Sequence, residues 1–223
     1  IAFTFLKTVG LLSRILLGLE VAGAEEISKI KRPFLVCPNH QSYLDPFIVS
    51  GAYPYDVMKN TFSDGAIEYF QSGFMQSVAR LINVIPIDPD TQLLKAIKAS
   101  ATGLKHGKVL NIFPEGERTF DGDLNEFKKG AAILATELDL PIVPVALDGL
   151  YKVWARSSNK ISLAKVKVRF GKPFYPKEIV DASMDDEAKY QPVTAHLSQP
   201  IQTILDEMRK PKPKNGECVW EGV

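Results

Sequence analysis

The sequence predicts an α/β fold, a layered domain with a largely parallel central sheet flanked by helices. Two observations carry that expectation. Short apolar runs alternate with runs of helical period from residue 34 to about 147, the pattern of strands joined by crossover helices. The chain has 223 residues, 45% hydrophobic and 24% charged, enough to bury a single core with a few appended elements.

The elements follow in order. The opening run, IAFTFLKTVGLLSRILLGLEVAG, is apolar but carries Lys7, Arg14 and Glu20, so it is a poor bilayer span. As a helix it would show a narrow polar stripe of Thr4, Lys7, Thr8 and Arg14. It would lie either in a membrane interface or on the protein's own core. Strands are expected at 34–37, 55–58, 83–87, 108–113 and 141–147. Between them, 67–82 and 91–106 place apolar residues at spacings of three and four, as in Leu93, Leu94, Ile97 and Leu104. Residues 128–138 read as a further helix. KVKVRF, 165–170, alternates basic and apolar side chains, so Lys165, Lys167 and Arg169 share one face of a strand. That strand reads as a solvated edge or as a contact for anionic lipid or a phosphorylated carrier. A late helix, broken or kinked by Pro192 and Pro200, is expected to pack over an edge. The resulting division is an amphipathic N-terminal segment, 1–25, a main domain, 26–210, and a Lys/Pro-rich linker or tail, 211–223, of a chain that reads as an excised domain next to further sequence.

Charge and cysteine content exclude some classes of function. Net charge is +1 and the pI about 7.9, so no global basic field calls for nucleic acid. Cys37 and Cys218 do not make a disulfide framework, and Cys37 reads as a buried strand residue, which points to a reducing compartment. No His, Cys or carboxylate cluster has metal spacing; Asp88 and Asp90 flank a proline in an expected turn. His106, before Gly107, reads as capping a helix end, and His196 as a helix-surface residue.

Two stretches carry residues suited to chemistry. In FLVCPNHQSYLDPFIV, 34–49, His40 lies on the turn after a strand, at the sheet edge where open α/β sheets hold ligands. Asp45 can act as an N-cap, with Pro46 at the first helical position. The same turn can fold its carboxylate onto the imidazole, fixing the tautomer and stabilising the imidazolium formed when the other nitrogen takes a proton. Ser42 is too close in the turn to align as a nucleophile, and Cys37 reads as core, so the nucleophile is expected to arrive as a substrate hydroxyl. In NIFPEGERTFDGDLNEFKKG, 111–130, Pro114 and Gly116 bend the chain while Glu115, Glu117 and Arg118 project polar groups. Arg118 could grip a phosphate, with Lys128 and Lys129 at the start of the next helix. The alternative is a loop whose charges neutralise one another.

NHQSYLD resembles the Asn-His-(four residues)-Asp signature of the glycerolipid acyltransferases, the 1-acylglycerol-3-phosphate acyltransferase-like family. FPEGERT resembles its second signature, usually Phe-Pro-Glu-Gly-Thr-Arg-Ser, and NVIPID and LPIVPVAL resemble its intervening and last blocks. Four blocks in order are far more specific than any one of them. The resemblance implies an acyltransferase-like fold with His40 as general base and Asp45 as its partner. It places Glu115, Gly116, Arg118 and Lys128 in the acceptor-binding region. Glu117 stands where Thr is usual and Pro89 where Arg is common; both departures reduce local positive charge.

The resulting expectation is an enzyme moving a fatty acyl group from acyl-CoA or acyl carrier protein to a hydroxyl of a lysophospholipid or glycerol phosphate. It would work peripherally on a membrane from the cytoplasm, with no cofactor and no metal. An esterase or thioesterase using the same dyad, and a non-catalytic lipid-binding module, are the alternatives.

Overall fold

The strand FLVCP is buried along its whole length because helices cover both faces of its sheet. A computed structural model describes residues 2–66, 72–87, 93–158, 160–181, 184–185 and 188–210. In chain order the elements are α1 (Ala2–Leu16), β1 (Glu20–Ala22), β2 (Phe34–Pro38), α2 (Asp45–Ala52), α3 (Tyr55–Met58), β3 (Thr61–Ala66), α4 (Gly73–Leu81) and β4 (Val84–Ile87). They continue with α5 (Leu93–Lys105), β5 (Val109–Asn111), α6 (Gly130–Glu137), β6 (Ile142–Asp148), α7 (Leu150–Val153), β7 (Lys167–Phe170) and α8 (Tyr190–Arg209). One sheet of seven strands has the order β1-β7-β6-β2-β5-β3-β4. β2 to β6 are parallel, β7 is antiparallel to β6, and β1 is parallel to β7. The expected largely parallel α/β sheet is present.

Successive side chains of a strand point to opposite faces, so β2 feeds two cores. Phe34 and Val36 join Ile48, Val49 and Tyr53 on the face covered by α1, α2 and α3. Leu35 and Cys37 join Leu134, Leu197 and Ile201 on the face covered by α5, α6 and α8. Full burial of a side chain of this size contributes about 1.5–3 kcal/mol, which anchors β2, like its neighbour β6, firmly in the sheet. It is also the point from which β5 and β6 depart to opposite sides. Open α/β sheets bind ligands at the carboxyl ends of strands at such a switch.

Several expectations are corrected. Residues 55–58 form the one-turn helix α3 behind Pro54, whose fixed φ of −57° suits the residue before a helix. The strand lies next to it, at β3, where TFSD has no continuous apolar run but pairs with β4 and β5. The helix expected over 67–82 is seen as α4; residues 67–71, 91–92, Pro89, the Asp88–Asp90 turn, Cys218 and the 211–223 tail lie outside the described residues. β7 is not an edge, because β1 pairs along its outer side. Its basic face meets α8: Lys167 donates to the Met208 carbonyl, and Arg169 Nη1 pairs with Glu207 Oε2 at 2.6 Å. α8 runs unbroken through Pro200, because Val193, Leu197, Ile201, Leu205 and Met208 bury one continuous stripe, and it packs over β6 and α6 rather than over an edge.

α1 docks on the core. Leu6, Gly10 and Ser13 are buried, and Gly10 meets Gly51 of α2 so closely that a Cβ on Gly51 would lie 2.9 Å from the Leu6 carbonyl oxygen. Lys7 leaves the expected polar stripe to donate to the carbonyls of Tyr53, at 2.8 Å, and Gly51, at 3.3 Å, where α2 ends. Leu11, Leu12, Ile15 and Leu16 stay exposed.

Candidate active site

β2 and β5 run parallel in register, Val36 opposite Asn111, so the turns that follow them leave the sheet side by side. This brings NHQSYLD and FPEGERT together. Asn39 continues β2 with its side chain: Nδ2 donates to Leu147 O at 3.0 Å and Oδ1 accepts from Leu147 N at 2.6 Å. Gln41 spans two further segments, donating to Gly122 O and accepting from Tyr151 N, both at 3.3 Å. With its neighbours on both sides fixed, His40 has little freedom to leave the edge.

The imidazole Nδ1 lies 2.7 Å from Asp45 Oδ2. That oxygen also accepts from the backbone amides of Gln41 and Ser42, and Asp45 is fully buried. A carboxylate oxygen can only accept, so Nδ1 is the donor, and in the neutral ring the lone pair is on Nε2. Phe113 stacks on the ring, centroids 4.1 Å apart at 23°. Asp45 is not the N-cap of α2. Leu44 already has helical dihedrals, so Asp45 is the first helical residue, and its carboxylate faces the amides before the helix and the imidazole rather than the helix's own amides.

The second loop grips His40 by its backbone. His40 N donates to Glu115 Oε1 at 2.6 Å, and Thr119 N donates to His40 O at 2.9 Å. Glu115 Oε2 accepts from Asn125 N at 2.9 Å. With both oxygens on backbone amides and the residue 2% exposed, Glu115 positions the two loops rather than facing an acceptor. Burial pushes its carboxyl up to about 7, against the pull of the two amides. Gly116 has φ of +73°, which favours glycine, and a Cβ there would meet the Lys128 ammonium at 2.8 Å. The glycine thus lets Lys128 fold over the loop.

Arg118 does not project outwards. It is 5% exposed, with its guanidinium 3.3 Å from the Tyr43 ring centroid, and Tyr43 in turn leans on Trp154. The outer charges of the loop are Glu117 and Arg156, paired at 2.6 Å, with Arg156 also donating to Arg118 O at 3.3 Å and lying over Phe120. The hydrogen bond from Arg156 holds the Glu117 carboxyl below its ordinary range. The local charge lost where Glu117 replaces Thr is therefore answered by a residue from a distant segment. Gln41 and Arg156 have no local signal, because their partners lie 38 to 110 positions away, and Asn39, though part of the Asn-His signature, shows its role only through Leu147, 108 positions on.

The rival nucleophiles are occupied. Ser42 Oγ donates to Trp154 O at 2.9 Å. Cys37 is fully buried, and burial pushes its thiol well above its ordinary range, so it stays protonated. His106 Nδ1 lies 2.8 Å from Thr102 O at the end of α5, and His196 is on the surface of α8 against Phe174. Among the described residues no group of three His, Cys, Asp or Glu side chains could hold a metal ion.

Residues 18–148, which include β2, His40, Asp45, β5 and the loop of Glu115, match the family described as Acyltransferase. The chain belongs to the acyltransferase family. Among relatives of this acyltransferase chain, a chloroplastic 1-acyl-sn-glycerol-3-phosphate acyltransferase of Brassica napus is 30% identical over 70% of this chain and 45% of its own length. The enzyme of that name from Pseudomonas aeruginosa is 29% identical over 86% of this chain and 75% of its own. The chain spans about half the length of the plant relatives it matches, with 45%, 44% and 59% covered in three of them. The crystal structure of the 1-acyl-sn-glycerophosphate acyltransferase PlsC from Thermotoga maritima superposes with a TM-score of 0.78 at 21% identity, covering 95% of this chain and 81% of that one. The acyltransferase fold is thus shared along nearly the whole chain.

Proposed function

We propose that the protein is a 1-acylglycerol-3-phosphate O-acyltransferase-like enzyme of phospholipid biosynthesis. It moves a fatty acyl group from acyl-CoA or acyl carrier protein to a hydroxyl of a lysophospholipid or glycerol phosphate. The observation that carries the reading is the His40–Asp45 pair, held at 2.7 Å by a carboxylate that is itself fixed by two backbone amides. Such a base needs no nucleophile from the enzyme. His40 Nε2 takes the proton of the acceptor hydroxyl as its oxygen attacks the thioester carbonyl. The carbon–sulfur bond then breaks and the imidazolium returns the proton to the departing thiolate. Asp45 holds the ring and balances its positive charge meanwhile. Lys128, folded over Gly116, supplies a cation on the loop that holds His40 for the acceptor's phosphate. Arg118 supports that loop from below, through Tyr43.

The acceptor is membrane-borne in this reading, and α1 offers an apolar face to a bilayer surface while its other face is docked. No helix among the described residues is long and apolar enough to cross a membrane, which is consistent with peripheral attachment. The names of the relatives support the acceptor class.

The test is thiol release from an acyl thioester across a panel of lysolipids. His40→Ala lowers acceptor-dependent turnover by about a hundredfold or more while the protein stays folded. A folded His40→Ala protein with parental turnover would refute the assignment. Thiol release that is equally fast without any acceptor would indicate a thioesterase instead.

A further inference from the structure

The exposed apolar surface around the catalytic edge is not confined to α1. The segment between α7 and β7 begins at the carboxyl end of β6, the edge at which parallel β2 delivers His40. It is pinned at both ends. Ser162 N donates to Val153 O at 2.9 Å, and Val166 N donates to Leu17 O at 3.1 Å, while Glu20 N donates back to Val166 O at 2.9 Å. The last two bonds tie the segment to the turn that follows α1. Ile161, next to the first bonded residue, is 66% exposed, and Leu163, between the two, 75%. Just beyond them, Ile15 and Leu16 end α1 at 69% and 59% exposure.

Single exposed apolar side chains are ordinary, but two on a fixed loop beside two more on a helix end form a surface for another phase. Charge identifies that phase. Lys160 and Lys165 are exposed along the segment and Lys152 on α7 just before it, and no acidic residue occurs between Lys152 and Lys177. The Lys165 stem lies over Gly18, 3.8 Å from where a Cβ would be, which brings its charge to the junction of loop and helix. Lys152 and Lys165 share a cavity with Glu20, Asp121, Asp123 and Asp148, but the stretch that carries Ile161 and Leu163 is itself purely basic, and apolar tips between lysines match acyl chains beneath anionic headgroups.

We propose that Ile161 and Leu163 insert into an anionic lipid surface as a second membrane contact, which with the end of α1 seats the catalytic edge on the bilayer. The inference rests on the reading of a membrane-borne acceptor, and the test separates the two. Parent, Ile161→Ser/Leu163→Ser and Ile15→Ser/Leu16→Ser proteins are sedimented with vesicles of equal parts phosphatidylglycerol and phosphatidylcholine. Loss of two inserted aliphatic side chains weakens partition of the loop variant by about tenfold or more. Its thermal midpoint and its turnover of water-soluble short-chain substrates stay at the parental level. Lys160→Gln/Lys165→Gln reduces the preference for these vesicles over pure phosphatidylcholine, by about fivefold per lysine removed. Parental partition of the loop variant, with loss confined to the α1 variant, overturns the second contact and leaves the membrane reading standing. Parental partition of both variants overturns the two together. Loss of short-chain turnover in the loop variant also overturns the proposal, since the segment would then act within the site rather than on lipid.

Discussion

Glu115 links the geometry around His40 to pH. Burial raises its carboxyl from 4.5 to about 7, so folding takes up a proton there. Its contribution to stability is complete below about pH 4.5 and is lost as pH rises through about 7. The parent should therefore lose thermal stability between about pH 5 and 8. Asp64, pushed by burial to about 6, adds to the same trend, so the informative quantity is the difference from Glu115→Gln. That variant should be less stable at low pH, because an amide nitrogen cannot accept from the second backbone N–H, but its pH slope should be shallower. Parallel profiles would show that Glu115 does not titrate in this window. Glu117 and Arg156 give a second prediction. Replacing Glu117 by Thr releases Arg156, so specificity for a phosphate monoester acceptor over a zwitterionic lysophospholipid should rise by about tenfold or less. Adding Arg156→Gln should remove the gain. The ratio of kcat/KM for the two acceptors at fixed salt checks both steps. The dyad and the second loop were legible in the sequence because their residues lie within short motifs. Arg156 was not, because an ion pair between residues 39 positions apart has no local signature.

Among the elements, the strands that surround the site were the readable ones. β2 and β6 are buried on both faces and so appear as unbroken apolar runs. β3 escaped because its buried residues include Thr61 and Ser63, held by hydrogen bonds rather than by hydrophobicity: Thr61 Oγ1 donates to Val57 O at 2.8 Å, and Ser63 Oγ accepts from Asn111 Nδ2 at 3.2 Å. YDVM forms a helix rather than the expected strand, since four residues with apolar Tyr55, Val57 and Met58 fit either period. The crossing of α1 and α2 makes a prediction of its own. Gly51→Val would drive a side chain into the Leu6 carbonyl, at a cost of about 1–3 kcal/mol. The expected outcome is a lowered unfolding midpoint together with weaker vesicle binding, since α1 can no longer hold its exposed face in place. Circular dichroism melts and sedimentation with vesicles would measure the two effects; an unchanged midpoint would mean that α1 is loosely seated.

For the molecule as a whole, the start of the chain belongs to the structure as well as to the membrane reading. Removing residues 1–17 strips α1 but spares β1, and should weaken vesicle binding while the sheet still melts cooperatively. Removing 1–22 also takes β1 from the outer side of β7 and exposes an unpaired strand edge. The longer truncation should melt less cooperatively and aggregate more readily than the shorter one, as denaturant titration and light scattering would show. Equal behaviour of the two would mean that β1 contributes little.

The pairing of β1 with β7 also bears on the order of events at the ribosome. Glu20 is matched with Lys167 and Ala22 with Arg169, so β1 leaves the exit tunnel long before its partner has been made. Synthesis proceeds at about 5–20 residues per second, which leaves an interval of several seconds in which β1 has no strand beside it. α1 does not wait for it, because its seat on Gly51 and Tyr53 lies within 46 positions, and Leu11, Leu12, Ile15 and Leu16 stay exposed once it is seated. The pair of α1 and α2 can therefore form early in synthesis, whereas the outer side of the sheet is completed only when β7 arrives beside β1.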